Sequence, residues 1–316
     1  MKKLFLILIS ISISACSTDD NSINGNSASN CTEKVYDGNV TLISQTQVDD
    51  FGANNYTWIN GDLKILEEVN LQNILNLNSL SCLSHINGNL IITLNNNLTS
   101  LNGLNNLSYV DGNLEITSNS ELINLDGLSN ISQIIGSLRI IGNQNLNTIN
   151  SLINVSSIGG YWAGINNGLI IEGNPLLTNL QGLNNISSIR GSLSISRNNN
   201  LLDLDELNSV LLIDGSIIIE GGEVLENLDG LNNVSAISGN LSVYGNINIT
   251  NLNGLSNLSY VGDDYLLLDI ASNKQLIDLC GLQNLLSNNL SIGFLRIEGN
   301  AYNPTIQDII DGNCSL

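Results

Sequence analysis

The chain of 316 residues has one histidine, His85. That excludes a Ser/His/Asp or Cys/His catalytic set built in the usual way, since such sets need an imidazole beside the nucleophile. It also argues against a Cys/His zinc site, and no two cysteines have zinc-type spacing. Cationic side chains are scarce too. Lys and Arg number nine, two of them at Lys2 and Lys3, against a net charge of −20. A nucleic-acid partner needs clustered positive charge to neutralise phosphates, and the remaining cations are scattered. The same scatter weighs against a polysaccharide lyase, whose chemistry needs basic groups beside acidic ones. Long apolar runs are missing as well. The only such stretch is Leu4 to Ile13, shorter than the roughly 20 residues of a bilayer-spanning helix.

That stretch follows Met1-Lys2-Lys3 and precedes Ser14-Ala15-Cys16, the layout of a secretory signal. Ile13-Ser14-Ala15-Cys16 resembles the bacterial lipobox, which implies cleavage before Cys16 and acylation of its thiol and new amino terminus. An ordinary signal peptide with a coincidental cysteine is the alternative. Asp19-Asp20 resembles the surface-export signal of some gram-negative lipoproteins. The expectation is a protein anchored by lipid in the outer membrane and displayed at the cell surface. Residues 1–15 are then the signal. Residues 16–30, poor in apolar groups, form a flexible tether.

Four further cysteines allow three connectivities. Cys31 with Cys82 and Cys280 with Cys314 is preferred because each pair lies near one end of the chain. Free buried thiols are the alternative, although export favours pairing.

Between residues 61 and 300 the chain repeats itself. The coil at Leu114 shows the unit: Leu114, Ile116, Asn119, Leu122, Leu125, Gly127, Leu128, Asn130, Ile131, Ile134 and Gly136. The leading apolar residue recurs at Leu63, Leu90, Leu114, Leu138, Leu169, Leu193, Ile217, Leu241, Leu268 and Leu295, spaced by 24 where nothing is inserted. Leu-x-Ile is the period of a strand with one buried face. One strand per coil, stacked on the next, gives a parallel sheet on one face of a solenoid. The other apolar positions point inward from the remaining sides. Val40-Thr41-Leu42 reads as an earlier, degenerate coil. The asparagine three places after Ile recurs from Asn95 to Asn300, with Gly222 in one coil. It is read as a structural ladder whose amides satisfy backbone groups at the turn. Asn-x-Ser/Thr triplets such as Asn106-Leu107-Ser108 arise from the repeat itself.

The pattern resembles leucine-rich repeats, and more closely the receptor L domain. The resemblance implies a mainly β, right-handed solenoid of about ten coils used for recognition, without activity or cofactor of its own. The cysteine-rich modules of the animal receptors are lacking. Residues 31–60 are expected to form an N-terminal cap, with Tyr36, Phe51, Tyr56 and Trp58 covering the first coil. Residues 301–316 form a C-terminal cap. There Asn303 would cap a short helix begun by Pro304 and ended by Gly312, with Ile306, Ile309 and Ile310 facing the last coil.

Functional positions are sought where the period breaks. Extra residues are placed around 81–87, 159–167, 262–265 and 287–294, on one edge of the stack. Tyr161 and Trp162, between glycines, suit contacts with protein or glycan. Asp263, Asp264 and Tyr265 are candidates on the same edge. The exposed sheet face is the second candidate. It carries Lys64, Ile91, Glu115, Arg139, Ile170, Ser194, Ile218, Ser242, Asp269 and Arg296, with Glu172, Glu220, Tyr244 and Glu298 beside them. Carboxylates at Asp203-Asp205-Glu206 and Glu223-Glu226-Asp229 read as solvated turns, because a glycosidase needs two facing each other across a cleft. Asp263 and Asp264 are too few ligands to hold calcium by themselves. The expected function is recognition or adhesion through a protein or glycan ligand. A structural envelope spacer is the alternative, and a carbohydrate-active enzyme ranks below both.

Overall fold

A computed structural model describes residues 31–67, 74–159, 168–261, 266–288 and 292–316. The chain divides into two units, Met1–Asn30 and Cys31–Leu316. The signal, Cys16 and the tether lie in the first and are outside the described residues.

The second unit is a solenoid with two parallel sheets. Among the described residues the longer sheet has eleven strands, from Val40–Leu42 to Ile292–Glu298. Its register follows the repeat: Leu90 pairs with Leu114, Leu114 with Leu138 and Leu138 with Leu169. The other sheet has ten strands of two or three residues, from Val35–Asp37 to Tyr260–Val261. Each coil thus supplies two strands rather than the one expected. Ile134 and its equivalents do point inward, but they sit in short extended pieces that bond coil to coil. Examples are Asp111 N to Ile86 O (2.9 Å) and Ser108 N to Ser84 O (3.0 Å). Both sheets begin before residue 61, so Val35–Leu42 is a first coil rather than only a cap.

Inside, the repeated leucines and isoleucines form one continuous core, most of them without solvent contact. Such a core exists only as a stack, since no single coil buries its own apolar positions. The asparagine ladder runs beside it. Asn119 N donates to Asn143 Oδ1 (3.1 Å), and Asn119 Nδ2 donates to Ile92 O (2.9 Å) and Thr117 O (3.2 Å). The pattern passes through Asn95, Asn143, Asn174, Asn246, Asn273 and Asn300, all buried. Gly222 interrupts it. Its N–H still donates to Asn246 Oδ1 (3.0 Å), but the coil offers no amide oxygen to Asn198. A void of about 10 Å³ lies there, lined by Asn198, Leu225 and Asn246 among others.

Two further polar ladders support the stack. One precedes the long strands, as in Asn113 N to Asn89 Oδ1 and Ser137 N to Asn113 Oδ1, both 2.8 Å. The other explains the asparagine of the Asn-x-Ser triplets. Asn106 Nδ2 donates to Ser81 O (2.6 Å) and Asn130 Nδ2 to Asn105 O (2.5 Å).

The glycine before the fourth leucine permits close approach between coils. Gly127 has φ of +109°, and a Cβ there would run into the carbonyl of Leu101 in the preceding coil. Gly127→Ala is expected to lower stability by about 2 kcal/mol, read by thermal unfolding, because strain and clash act together.

The ends are closed differently. At the N-terminus helix α1 (Gln45–Gly52) is capped by Ser44, whose Oγ accepts from Gln47 N (3.3 Å). Tyr36, Phe51 and Tyr56 cluster with centroids 5.1–5.5 Å apart. Trp58 does not join them. It stacks on His85 at 4.4 Å on the outer side of the short-strand sheet. Toward the C-terminus lie α2 (Gln283–Ser287) and α3 (Ile306–Ile310). Ile309 is fully buried, and Ile306 and Ile310 pack against the core. The cap of α3 is Thr305, in a reciprocal pairing with Asp308, and not Asn303. The Thr305 hydrogen bonds hold the Asp308 carboxyl below its ordinary pKa. Asn303 is instead the last rung of the ladder, its Oδ1 accepting from Asn300 N (3.0 Å) and Nδ2 (3.1 Å). The cysteines pair as Cys31–Cys82 and Cys280–Cys314, one bridge at each end.

Candidate functional site: the long-sheet face

Parallel pairing aligns the outward residues of the longer sheet into rows. One row runs Lys64, Ile91, Glu115, Arg139, Ile170, Ser194, Ile218, Ser242, Asp269 and Arg296. The row two residues further on includes Glu172, Glu220, Tyr244 and Glu298. Most of these side chains are half-exposed, although Ser242 is buried.

Chemistry varies along the face. In the middle, Ile170 and Ile218 are half-buried apolar groups separated by Ser194. Arg197 reaches Glu172 at 2.9 Å, and Arg139 lies 3.9 Å from Glu115. Toward the C-terminal end Arg296 Nε donates to Asp269 Oδ1 (2.7 Å), and its guanidinium sits 5.1 Å from the Tyr244 ring centroid. Tyr244 is 39% exposed. The exposed Arg197–Glu172 pair adds little stability. A fixed Arg–Tyr–Asp group does present planar donors, a ring and acceptors in a defined arrangement, and Tyr and Arg are enriched among residues that dominate binding.

The loop-edge candidates Tyr161, Trp162, Asp263, Asp264 and Tyr265 lie outside the described residues. Their insertions are anchored at one corner. Residues 159–167 and 262–265 each connect a short-sheet strand to the following long-sheet strand. The insertion expected around 81–87 is elsewhere. Leu77, Leu83, Ile86 and Leu90 keep the spacing of Leu101, Leu107, Val110 and Leu114, with Ile86 paired to Val110 and Leu90 to Leu114. The three extra residues therefore fall after Leu66.

A feature of the other sheet escaped the sequence. Trp58, His85 and Tyr109 stand in register on its outer side, with His85 and Tyr109 centroids 5.9 Å apart. Ser84 Oγ lies 2.8 Å from His85 Nδ1, and burial holds the imidazole below its ordinary pKa.

The carboxylates do not converge on a cleft. Asp203 Oδ1 accepts from Asp205 N (3.2 Å), a turn-closing bond repeated by Asn227 and Asp229 N (2.9 Å) in the next coil. Partial burial raises the Asp205 pKa, and Asp203 and Asp229 add to the effect. Among the described residues no group of His, Cys, Asp or Glu could hold a metal ion, and no helix is long and apolar enough to cross a membrane.

The two-sheet solenoid with a free, chemically mixed face defines a ligand-presenting repeat scaffold. The family model of the receptor L domain matches residues 108–210 and again 211–307. The chain belongs to the receptor L domain family, a family of ligand-binding, receptor-like domains. No curated protein matches it. The two matched copies are one stack, since strand pairing continues across the junction, with Ser194 beside Ile218.

Proposed function

We propose that this is a lipid-anchored cell-surface recognition protein that binds a protein or glycan through the long-sheet face. The observation that carries this reading is the pair of adjacent outward rows, one holding Ile170, Ile218 and Arg296 and the other holding Tyr244. These residues project away from the core, and a stack of this kind is held by its inward positions. The lipobox-like Ile13–Cys16 supports anchoring, and the polar tether after it supports display at the surface. Ile218→Asp combined with Tyr244→Ala is expected to weaken capture of surface-labelled ligand by about tenfold, a loss of about 1.4 kcal/mol. The melting temperature should stay within a few degrees of the parent. Unchanged capture by that variant, with loss in Tyr161→Ala/Trp162→Ala, would move the site to the loop edge. Cys16→Ala should abolish incorporation of labelled fatty acid, and persistent labelling would refute the anchor.

A further inference from the structure

The two ends of the longer sheet are not equivalent. At the N-terminal end the outer strand, Val40–Leu42, has only three residues, its Val40 and Leu42 are buried, and α1 packs beside it. At the C-terminal end the outer strand, Ile292–Glu298, has seven residues and, among the described strands, pairs only with Leu266–Ala271. Leu295 stands in register with Leu268, at the inward position of the repeat. Leu268 has no solvent contact, whereas Leu295 is 42% exposed and the neighbouring Phe294 is 48% exposed. α3 packs against α2, and this part of the last coil stays exposed.

The backbone of this strand has an identifiable free side. Ser272 N donates to Glu298 O (2.9 Å), so the polar groups of Glu298 face the preceding strand. Strand alternation then directs Arg296 the same way and turns the N–H and C=O of Leu295 and Ile297 outward. A long unpaired edge with exposed apolar residues is a template for another strand.

The geometry points to a second copy of this chain as the occupant, joined edge to edge by antiparallel pairing of the two Ile292–Glu298 strands about a twofold axis at Leu295. The closed N-terminal end cannot supply a strand, so head-to-tail growth is blocked and the pair closes as a dimer. About Leu295 each copy exchanges both free backbone bonds. Each Leu295 takes the place that the next coil's leucine would fill. Each Phe294 comes opposite Arg296 of the second copy, a ring facing a guanidinium. The alternative twofold register at Arg296 sets two arginines against each other and is disfavoured.

Sedimentation equilibrium of the full chain, wild type against Leu295→Lys, tests this. A lysine on a strand edge opposes pairing. Association through residues 1–30 would be common to both proteins, so the difference between them reads the edge. The wild type should show twice the mass of the variant at matched concentration. Phe294→Glu, on the solvent face, should reproduce the loss if Leu295→Lys folds poorly. Hydrogen exchange should slow at the Leu295 and Ile297 amides by roughly tenfold or more with rising concentration, but not at Arg296. Equal masses for wild type and both variants would overturn the proposal, as would Leu295 and Ile297 amides that exchange quickly at every concentration. Protection appearing only with an added protein or peptide would assign the edge to a different partner and equally overturn it.

Discussion

Asn143→Ala is expected to destabilise the solenoid by about 4 kcal/mol, far more than truncating any exposed asparagine. The Asn143 Oδ1 accepts from Asn119 N (3.1 Å) and Nδ2 (3.3 Å), and its Nδ2 donates to Ile116 O (2.9 Å). Alanine removes the acceptor and the donor together. The Asn119 N–H is then left buried without a partner, at about 1–3 kcal/mol, the Ile116 carbonyl keeps only its strand partner, and a small cavity adds to the loss. Denaturant unfolding measures the loss. Asn145→Ala is the control: its Nδ2 meets Glu121 at 3.3 Å on the surface, so its change should stay within about 0.5 kcal/mol. The chain should still fold, because the coil with Gly222 already lacks one rung.

The second large effect concerns the C-terminal bridge. Cys280→Ser with Cys314→Ser is expected to cost about 3 kcal/mol. The bridge closes a loop across a sequence separation of 34 and restricts the unfolded chain accordingly. It also pins the final residues, where Leu279 N donates to Cys314 O (2.9 Å) and Gln283 Nε2 to Ile310 O (3.1 Å). In a stacked repeat, losing an end cap lets unfolding enter from that end. Calorimetry should show the lower melting temperature, and hydrogen exchange should show protection failing first from residue 266 onward. Equal loss of protection along the whole chain would contradict this role of the cap.

What could be read in the sequence depended on how often a feature recurred. Leu114-x-Ile116 marks a strand because alternation and a fixed spacing coincide. Asn119 marks a ladder because its neighbours stand at the same offset in almost every coil. The second sheet was hidden because a strand such as Gln133–Ile134 is too short to show alternation, so Ile134 registered only as an inward residue. The last rung was hidden for a related reason. Asn303 lies three residues after Asn300, off the period, and its place before Pro304 imitated a helix cap. The Leu63-to-Leu90 spacing gave the size of the first insertion but not its position. Trp58, His85 and Tyr109 sit at unequal spacings, and only strand pairing brings them into one row. The candidate site was legible as a set of positions that the repeat leaves free. The period alone could not distinguish Ile218 from Ile91, or show that Arg296 meets Asp269 and Tyr244. Those contacts depend on side chains from different coils.

The coil-to-coil asparagine ladder is the claim on which the rest depends, and backbone amide exchange resolved residue by residue tests it most directly. Asn95, Asn119, Asn143, Asn174, Asn246 and Asn273 each donate their N–H to the amide oxygen of the next coil at 3.0–3.1 Å. Asn198, facing Gly222, has no such acceptor. Slow exchange is expected at the six and distinctly faster exchange at Asn198. Fast exchange at Asn119 and Asn143, or an Asn198 amide as protected as theirs, would contradict the ladder.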